Sequence, residues 1–360
     1  MPLKDLLRTA VGTGDKLLIA GPAWIGDMVM AQSLYRLLLS RNPGARIHVI
    51  APPWSKPILE RMPEVSRAIE LDVAHGKVAV GKRWRLGRRL RDKGYAQAIV
   101  LPRSLKAALV PFFAGVPVRT GYRGEWRFVL INDIRPFDPG RLDQTVKRFI
   151  ALGVPQDEDE LPQAPRPSLR TDEDNLLAAM KRLGLTLATR PVALMPGAEY
   201  GPAKRWPADR FGALAARLAG AGRQVWILGS TRERELGEEV RAAAGHDGVV
   251  NLCGRTTLLD AIDLLGAAGV AVTNDSGLMH IAAAVDTHVV SLYGSTSPGF
   301  TPPLTDRADI LYGNLECSPC FRRECPLGHF NCMMEFSVDQ VAAMTMTALA
   351  RRSSAGEGCR

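Results

Sequence analysis

No stretch of the 360-residue sequence stays apolar for the roughly 20 positions that a membrane span requires. The longest mainly apolar run, residues 107–118, is about a dozen residues and contains Pro111 and Pro117, so no span is expected. The first residues carry Lys4, Asp5 and Arg8 and then a polar Gly-Thr-Gly-Asp segment at 12–15. That is not the pattern of a secretion signal, and a cytoplasmic location is expected. Short internal repeats are lacking. So are the Walker phosphate loop and the Gly-x-Gly-x-x-Gly dinucleotide fingerprint. With 46% apolar and 23% charged residues, the composition sits near the globular average and excludes a mostly disordered chain, a collagen and a coiled coil.

The length suits two domains of common size. The formal net charge of +9 is unevenly spread. Residues 1–165 hold 26 Lys and Arg against 16 Asp and Glu, or +10; the remainder holds 20 against 21, or −1. The densest basic stretch runs from Lys82 to Lys93. A face of this kind attracts nucleic acid, anionic lipid or a phosphorylated substrate, or is simply a solvated helix face.

Short apolar runs alternate with longer amphipathic ones. Strands are predicted at Lys16–Ala20, Arg46–Ile50 and Ala96–Leu101, with a helix over Met28–Ser40. A polar, Pro-rich segment between Pro155 and Pro167 reads as a linker. The alternation then resumes. Strands are predicted at Val192–Met195, Gln224–Leu228, Val249–Leu252, Val270–Thr273 and His288–Leu292, and helices at Asp209–Ala219, Arg232–Ala244, Leu258–Ala268 and Leu278–Ala284. The pattern predicts two doubly wound α/β domains with parallel sheets, which bind ligands at the carboxyl ends of their strands. Residues 1–165 and 166–336 are the expected domains, and 337–360 a C-terminal helix and tail.

Three loops at predicted strand ends carry unusual residues. In Gly21-Pro22-Ala23-Trp24-Ile25-Gly26-Asp27 the glycines permit a tight turn and close ligand approach. Asp27 is either a helix N-cap or a carboxylate held as a base. The loop from Pro196 to Pro207 combines Gly197 and Gly201 with Lys204 and Arg205, just before a helix. Backbone N–H groups at a helix start bind phosphate, and a cation there offsets charge on a leaving group; two surface cations in a long loop is the plainer alternative. The third, Thr273 to His280, places Asp275, Ser276 and Gly277 at a helix start, with His280 about one turn in. An acid, a hydroxyl, a glycine and a histidine together favour ligand contact.

Four of the six cysteines lie within sixteen residues, Cys317, Cys320, Cys325 and Cys332, with His329 among them. A cytoplasmic chain does not normally keep disulfides. Thiols at this spacing suggest a structural zinc held by four cysteines or by three and the histidine, although the frame is not a standard one. Reduced surface thiols or a redox-labile pair are the alternatives. Cys253 and Cys359 look unrelated.

Taken together, the segments GPAWIGDMVMAQSLYR, APPWSKPILERMPEV, LPRSLKAALVPFFAGVPVRTGYRGE, PGAEYGPAKRWP and TNDSGLMHIAAAV with YGSTSPGFTPPL closely resemble the family 9 glycosyltransferases, the ADP-heptose:lipopolysaccharide heptosyltransferases. The likeness runs from about Lys16 to Leu304 and through the last helix. It implies the GT-B fold, two Rossmann-like domains facing an interdomain cleft. It also implies inverting transfer of heptose from ADP-L-glycero-β-D-manno-heptose to the lipopolysaccharide inner core at the inner membrane. The NDSGLMH and PGAEYGPAKRWP wording favours members that make an α-1,3 linkage to the first heptose of heptosyl-Kdo-lipid A over those using another core acceptor.

By the same resemblance Asp27 is the catalytic base and Lys204 the diphosphate contact. Gly197, Glu199, Tyr200, Asp275, Ser276, Gly277 and His280 are donor-binding, with Glu233 near the ribose or adenosine. Arg103, Lys106, Arg119 and Arg123 are acceptor-binding. The family implies no metal in catalysis, in keeping with the lack of an Asp-x-Asp pair near the proposed sugar site. Its minimum catalytic pattern does not include the cysteine cluster. A nucleic-acid-binding protein would explain the basic half and the cysteines but not the Gly-rich strand-end loops, so no nucleic-acid partner is expected. A non-catalytic sugar-nucleotide module would keep donor binding without Asp27 and have no turnover to lose.

Overall fold

The computed structural model describes residues 15–356 except 75, 159 and 188, and of 352–356 the backbone alone. The N-terminal segment bearing on a secretion signal, and Cys359, lie outside the described residues. The chain divides into two units between Pro167 and Ser168.

The first unit carries a six-stranded sheet of β1 (Lys16–Ala20), β2 (Arg46–Ala51), β3 (Val65–Glu70), β4 (Tyr95–Val100), β5 (Val118–Tyr122) and β6 (Asp133–Arg135) in the order β3-β2-β1-β4-β5-β6. Every pairing is parallel. The second unit repeats the plan with β7 (Val192–Met195), β8 (Val225–Ile227), β9 (Val249–Asn251), β10 (Val270–Asn274), β11 (His288–Tyr293) and β12 (Ala308–Tyr312), in the order β12-β11-β10-β7-β8-β9, again parallel throughout. Counted from its own first strand, each sheet has the doubly wound order 3-2-1-4-5-6. The expected pair of Rossmann-like α/β units is present.

Central strands covered on both faces are expected to be buried along their length, mostly with apolar residues. Accordingly β7, β10 and β11 are buried at every position. The helix Val338–Gly356 packs onto the second unit, where Val341, Ala342, Ala348 and Leu349 join the core. The Pro-rich segment is pinned to the first unit. Glu158 takes a bidentate pair of hydrogen bonds from Arg41 at 2.8 and 2.6 Å, and the Arg166 carbonyl accepts from Arg36 at 2.6 Å. No helix among the described residues is long and apolar enough to cross a membrane.

Strand order fixes where ligands go. The strand order reverses between β1 and β4 in the first sheet and between β7 and β10 in the second. Crevices open at such switch points beyond the strands' carboxyl ends. The loops and helix starts that follow these four strands hold Asp27, Arg103, Lys204 and Asp275.

Candidate active site

In the second unit the loop after β7 and the turn after β10 are tied together. Asn274 donates from Nδ2 to the Pro196 carbonyl at 2.7 Å, and its Oδ1 accepts from the Trp206 backbone N–H at 3.0 Å. One side chain thus clamps both ends of the Lys204 loop. Lys204 Nζ lies 2.6 Å from Asp275 Oδ2, with the two side chains 13% and 5% exposed. The same carboxylate accepts from Thr296 at 2.7 Å and from Thr301 at 3.4 Å, so a buried charge is paired and hydrogen-bonded. Lys204 also stands 5.0 Å from the centre of the Tyr200 ring.

The helix Gly277–Ala284 opens directly after Asp275, with Ser276 as its N-cap. Its first N–H groups, unused within the helix, and its dipole favour an anion there. His280 is buried. Desolvation lowers its pKa to about 4, with Asp275 opposing and Lys204 adding to the shift, so the imidazole is neutral near pH 7. Glu233 serves as a capping residue. Its carboxylate accepts from the Ser230 N–H at 2.7 Å and from the Ser230 hydroxyl at 2.8 Å. It also packs on Gly197, where any Cβ would overlap it. Glu199 is exposed and pairs with Arg232 at 3.3 Å.

In the first unit the helix Ile25–Arg41 begins after an N-cap at Trp24. Asp27 is therefore half-buried in the first turn rather than at the cap, where its charge is favourable to the helix dipole. Gly21 explains the loop's path: its N–H donates to the Ile50 carbonyl at 3.0 Å, and a Cβ would come within 2.9 Å of that oxygen. Trp54 Nε1 holds the loop from outside through the Ala23 carbonyl at 2.9 Å.

Arg103 and Arg123 line one open cavity of about 950 Å³ together with Glu125, Arg135 and Phe137. The Arg103 guanidinium lies 4.4 Å from the Phe137 ring centre. Lys106 and Arg119 do not line that cavity. Arg119 donates to the carbonyls of Leu130 at 2.8 Å and Val116 at 2.6 Å, bracing the β5 end. Arg127 is the buried brace of the cavity wall, donating to the carbonyls of Pro102 at 2.7 Å and Tyr122 at 2.5 Å. Burial, and then the nearby Arg103 charge, lower its pKa to about 10.

Cys317, Cys320, Cys325, His329 and Cys332 line one small cavity of about 20 Å³ in the second unit. Burial, and then the neighbouring Cys317, Cys320 and Cys325, push the Cys332 thiol up to about 11. Among the described residues no three His, Cys, Asp or Glu side chains form a ready-made metal-ligand group.

Sequence reasoning missed Asn274, Thr296, Thr301, Arg127 and Arg135. The YGSTSPGF segment after β11 is the available signal for the threonines, since it opens a further strand-end loop.

A family model described as glycosyltransferase family 9 (heptosyltransferase) matches residues 83–331. The chain belongs to glycosyltransferase family 9. It is 45% identical over 304 residues to lipopolysaccharide heptosyltransferase 2 of Escherichia coli strain K12, covering 82% of this chain and 87% of the relative. It is 44% identical over 306 residues to lipooligosaccharide heptosyltransferase 2 of Haemophilus influenzae, covering 82% and 88%. The solved structure of E. coli ADP-heptose LPS heptosyltransferase II superimposes with a TM-score of 0.85 at 40% identity, over 94% of this chain and 99% of that one. The matched stretch of the family model holds the Lys204 loop, Asp275 and most of the cysteine segment.

Proposed function

We propose that this family 9 glycosyltransferase moves L-glycero-D-manno-heptose from ADP-heptose to the first heptose of the lipopolysaccharide inner core, forming an α-1,3 bond with inversion. The observation that carries this reading is the Lys204–Asp275 pair beside the helix start at Ser276 and Gly277, at the switch point of the second sheet. The extended similarity to heptosyltransferases numbered 2 supports the choice of acceptor.

In this mechanism the acceptor hydroxyl oxygen attacks the anomeric carbon as the bond from that carbon to the ADP oxygen breaks. The hydroxyl proton passes to the Asp27 carboxylate, a role typically contributing about 10²–10⁴-fold. The departing diphosphate gains negative charge, which Lys204 and the helix N-terminus stabilise. Asp275 and neutral His280 hold the donor heptose, and Gly197 and Tyr200 shape the donor loop. With a side-chain cation at the diphosphate, no step calls for a metal. Arg103 and Arg123, with Arg135, supply the charge for a phosphate-bearing acceptor. Because that acceptor is lipid-borne, the enzyme works at the cytoplasmic face of the inner membrane. The basic helix Val80–Leu90, with Trp84 half exposed, is suited to an anionic surface.

The test supplies ADP-heptose with acceptors carrying zero, one or two heptoses. ADP release with the one-heptose acceptor alone is expected. Turnover confined to another acceptor would move the assignment within the family, and no turnover with any would end it.

A further inference from the structure

Between β12 and the short helix Asn331–Met334 the chain runs for 18 residues, 313–330, without helix or strand. Irregular stretches of that length inside a folded unit are uncommon and are usually either functional or linker segments. Its apolar anchors are few: Leu315 packs on the core and the Phe321 ring stands edge-on to Phe300, while Leu327 is 62% exposed. It holds its place through the donor-site loops. The Phe321 N–H donates to the Ser295 carbonyl at 2.7 Å and the Ser318 hydroxyl to the Gly294 carbonyl at 2.5 Å. The Phe321 carbonyl accepts from the Tyr200 hydroxyl at 2.7 Å, and the Arg323 carbonyl from the Ala203 N–H at 3.0 Å. The Arg323 backbone lies so close to Gly201 that a Cβ there would overlap it. Ser295 precedes Thr296, a hydrogen-bond partner of the Asp275 carboxylate, and Ala203 precedes Lys204.

The cavity lined by Cys317, Cys320, Cys325 and Cys332 has Ala203 and Ser295 in its wall as well. Four cysteine residues and the two segments that position the Lys204–Asp275 pair therefore line one small space.

We propose that these four cysteines bind one zinc ion, and that the metal clasps the segment against residues 200–204 so that Lys204 is held in register for the donor diphosphate. Four thiolates are a common zinc set, with bonds of about 2.3 Å, and suit Cu(I) or iron as well. The sulfurs are not gathered into a ligand group beforehand, so the ion's own bonds supply the convergence, and metal binding and closure of the segment are one event. The role is positional: the ion touches neither donor nor acceptor. The link to donor binding rests on the function proposed above; the metal site itself does not.

The test uses the full-length chain purified under reducing conditions. Elemental analysis is expected to find about one zinc per chain. Stripping with a chelator should lower the melting temperature and expose the cluster thiols to a thiol reagent, and added Zn²⁺ should restore both. Calorimetry with ADP should show affinity about tenfold weaker in the stripped protein, within the roughly 5–150-fold range of coupled sites. Cys325→Ser should abolish zinc retention, whereas Cys253→Ser, at a buried thiol outside the cluster, should keep it. Chelation and re-addition to the unaltered chain remain informative if a Ser variant fails to fold. Absence of zinc, with no uptake and no protection of thiols by added Zn²⁺, would overturn the site. Zinc retained with ADP affinity indifferent to its removal would overturn the clasp. Zinc-loaded protein that binds no ADP at all would count against the proposed donor, while the elemental and thiol readouts still decide the metal site.

Discussion

Lys204 and Asp275 form the most consequential side-chain pair in the second unit. Breaking a buried pair by removing one member is costly, about 3–5 kcal/mol, because the other charge is left uncompensated. Lys204→Ala is thus expected to lower stability in urea unfolding by that order. It should also weaken ADP binding in calorimetry and slow turnover; unchanged ADP affinity with an unchanged rate would reduce Lys204 to surface charge. His280 gives a pH signature. Its pKa falls from 6.5 to about 4 on folding because burial disfavours the imidazolium. Between those values the unfolded chain binds the proton and the folded chain does not, so stability falls as pH drops from about 6.5 to about 4. His280→Gln should flatten that part of the curve of urea midpoint against pH; an unaltered slope would mean that the histidine is protonated in the fold. Asp27, Lys204, Asp275 and His280 can be read from the sequence because each stands near the point where an apolar run stops and a loop with glycine or proline begins. Asn274 and Arg127 cannot. They act on backbone atoms distant along the chain, and a single asparagine or arginine has no local pattern that announces it.

Elements follow the same division. The sequence pattern predicts β7 with the ends it has in the structure, and β10 and β11 to within one residue, because buried parallel strands are near-continuous apolar runs. β3, at a sheet edge, is not readable: of VSRAIE only Ile69 is buried. β6 has three residues, and β5 carries Arg119, Thr120 and Gly121, so neither has an apolar run to detect. The basic stretch 82–93 is largely the helix Val80–Leu90, whose buried positions are Arg83, Leu86, Gly87 and Leu90. Gly87 lets this helix meet Leu105–Phe113 closely; a Cβ there would overlap Phe113 and lie 2.9 Å from the Val110 carbonyl. Gly87→Val is expected to cost about 1–3 kcal/mol by overpacking, seen as a lower urea midpoint. Gly81→Ala in the same helix has nothing within 4 Å and should be neutral or slightly stabilising. Equal behaviour of the two would contradict the close helix approach.

The whole molecule repeats one strand order in two units of unlike charge. Each sheet's strand order reverses between its first and fourth strands, and the loops and helix starts after those strands carry Asp27 and Arg103 in one unit and Lys204 and Asp275 in the other. The proposed mechanism assigns proton removal and acceptor charge to the first unit and the diphosphate to the second. The direct check replaces Asp27 by Asn, which keeps the size of the side chain and removes its basicity. Turnover of the one-heptose acceptor and ADP affinity are then measured on the same preparation. The account predicts a kcat lower by about 10²–10⁴-fold with ADP affinity unchanged. Turnover near the wild-type rate would contradict the division of labour on which the mechanism stands.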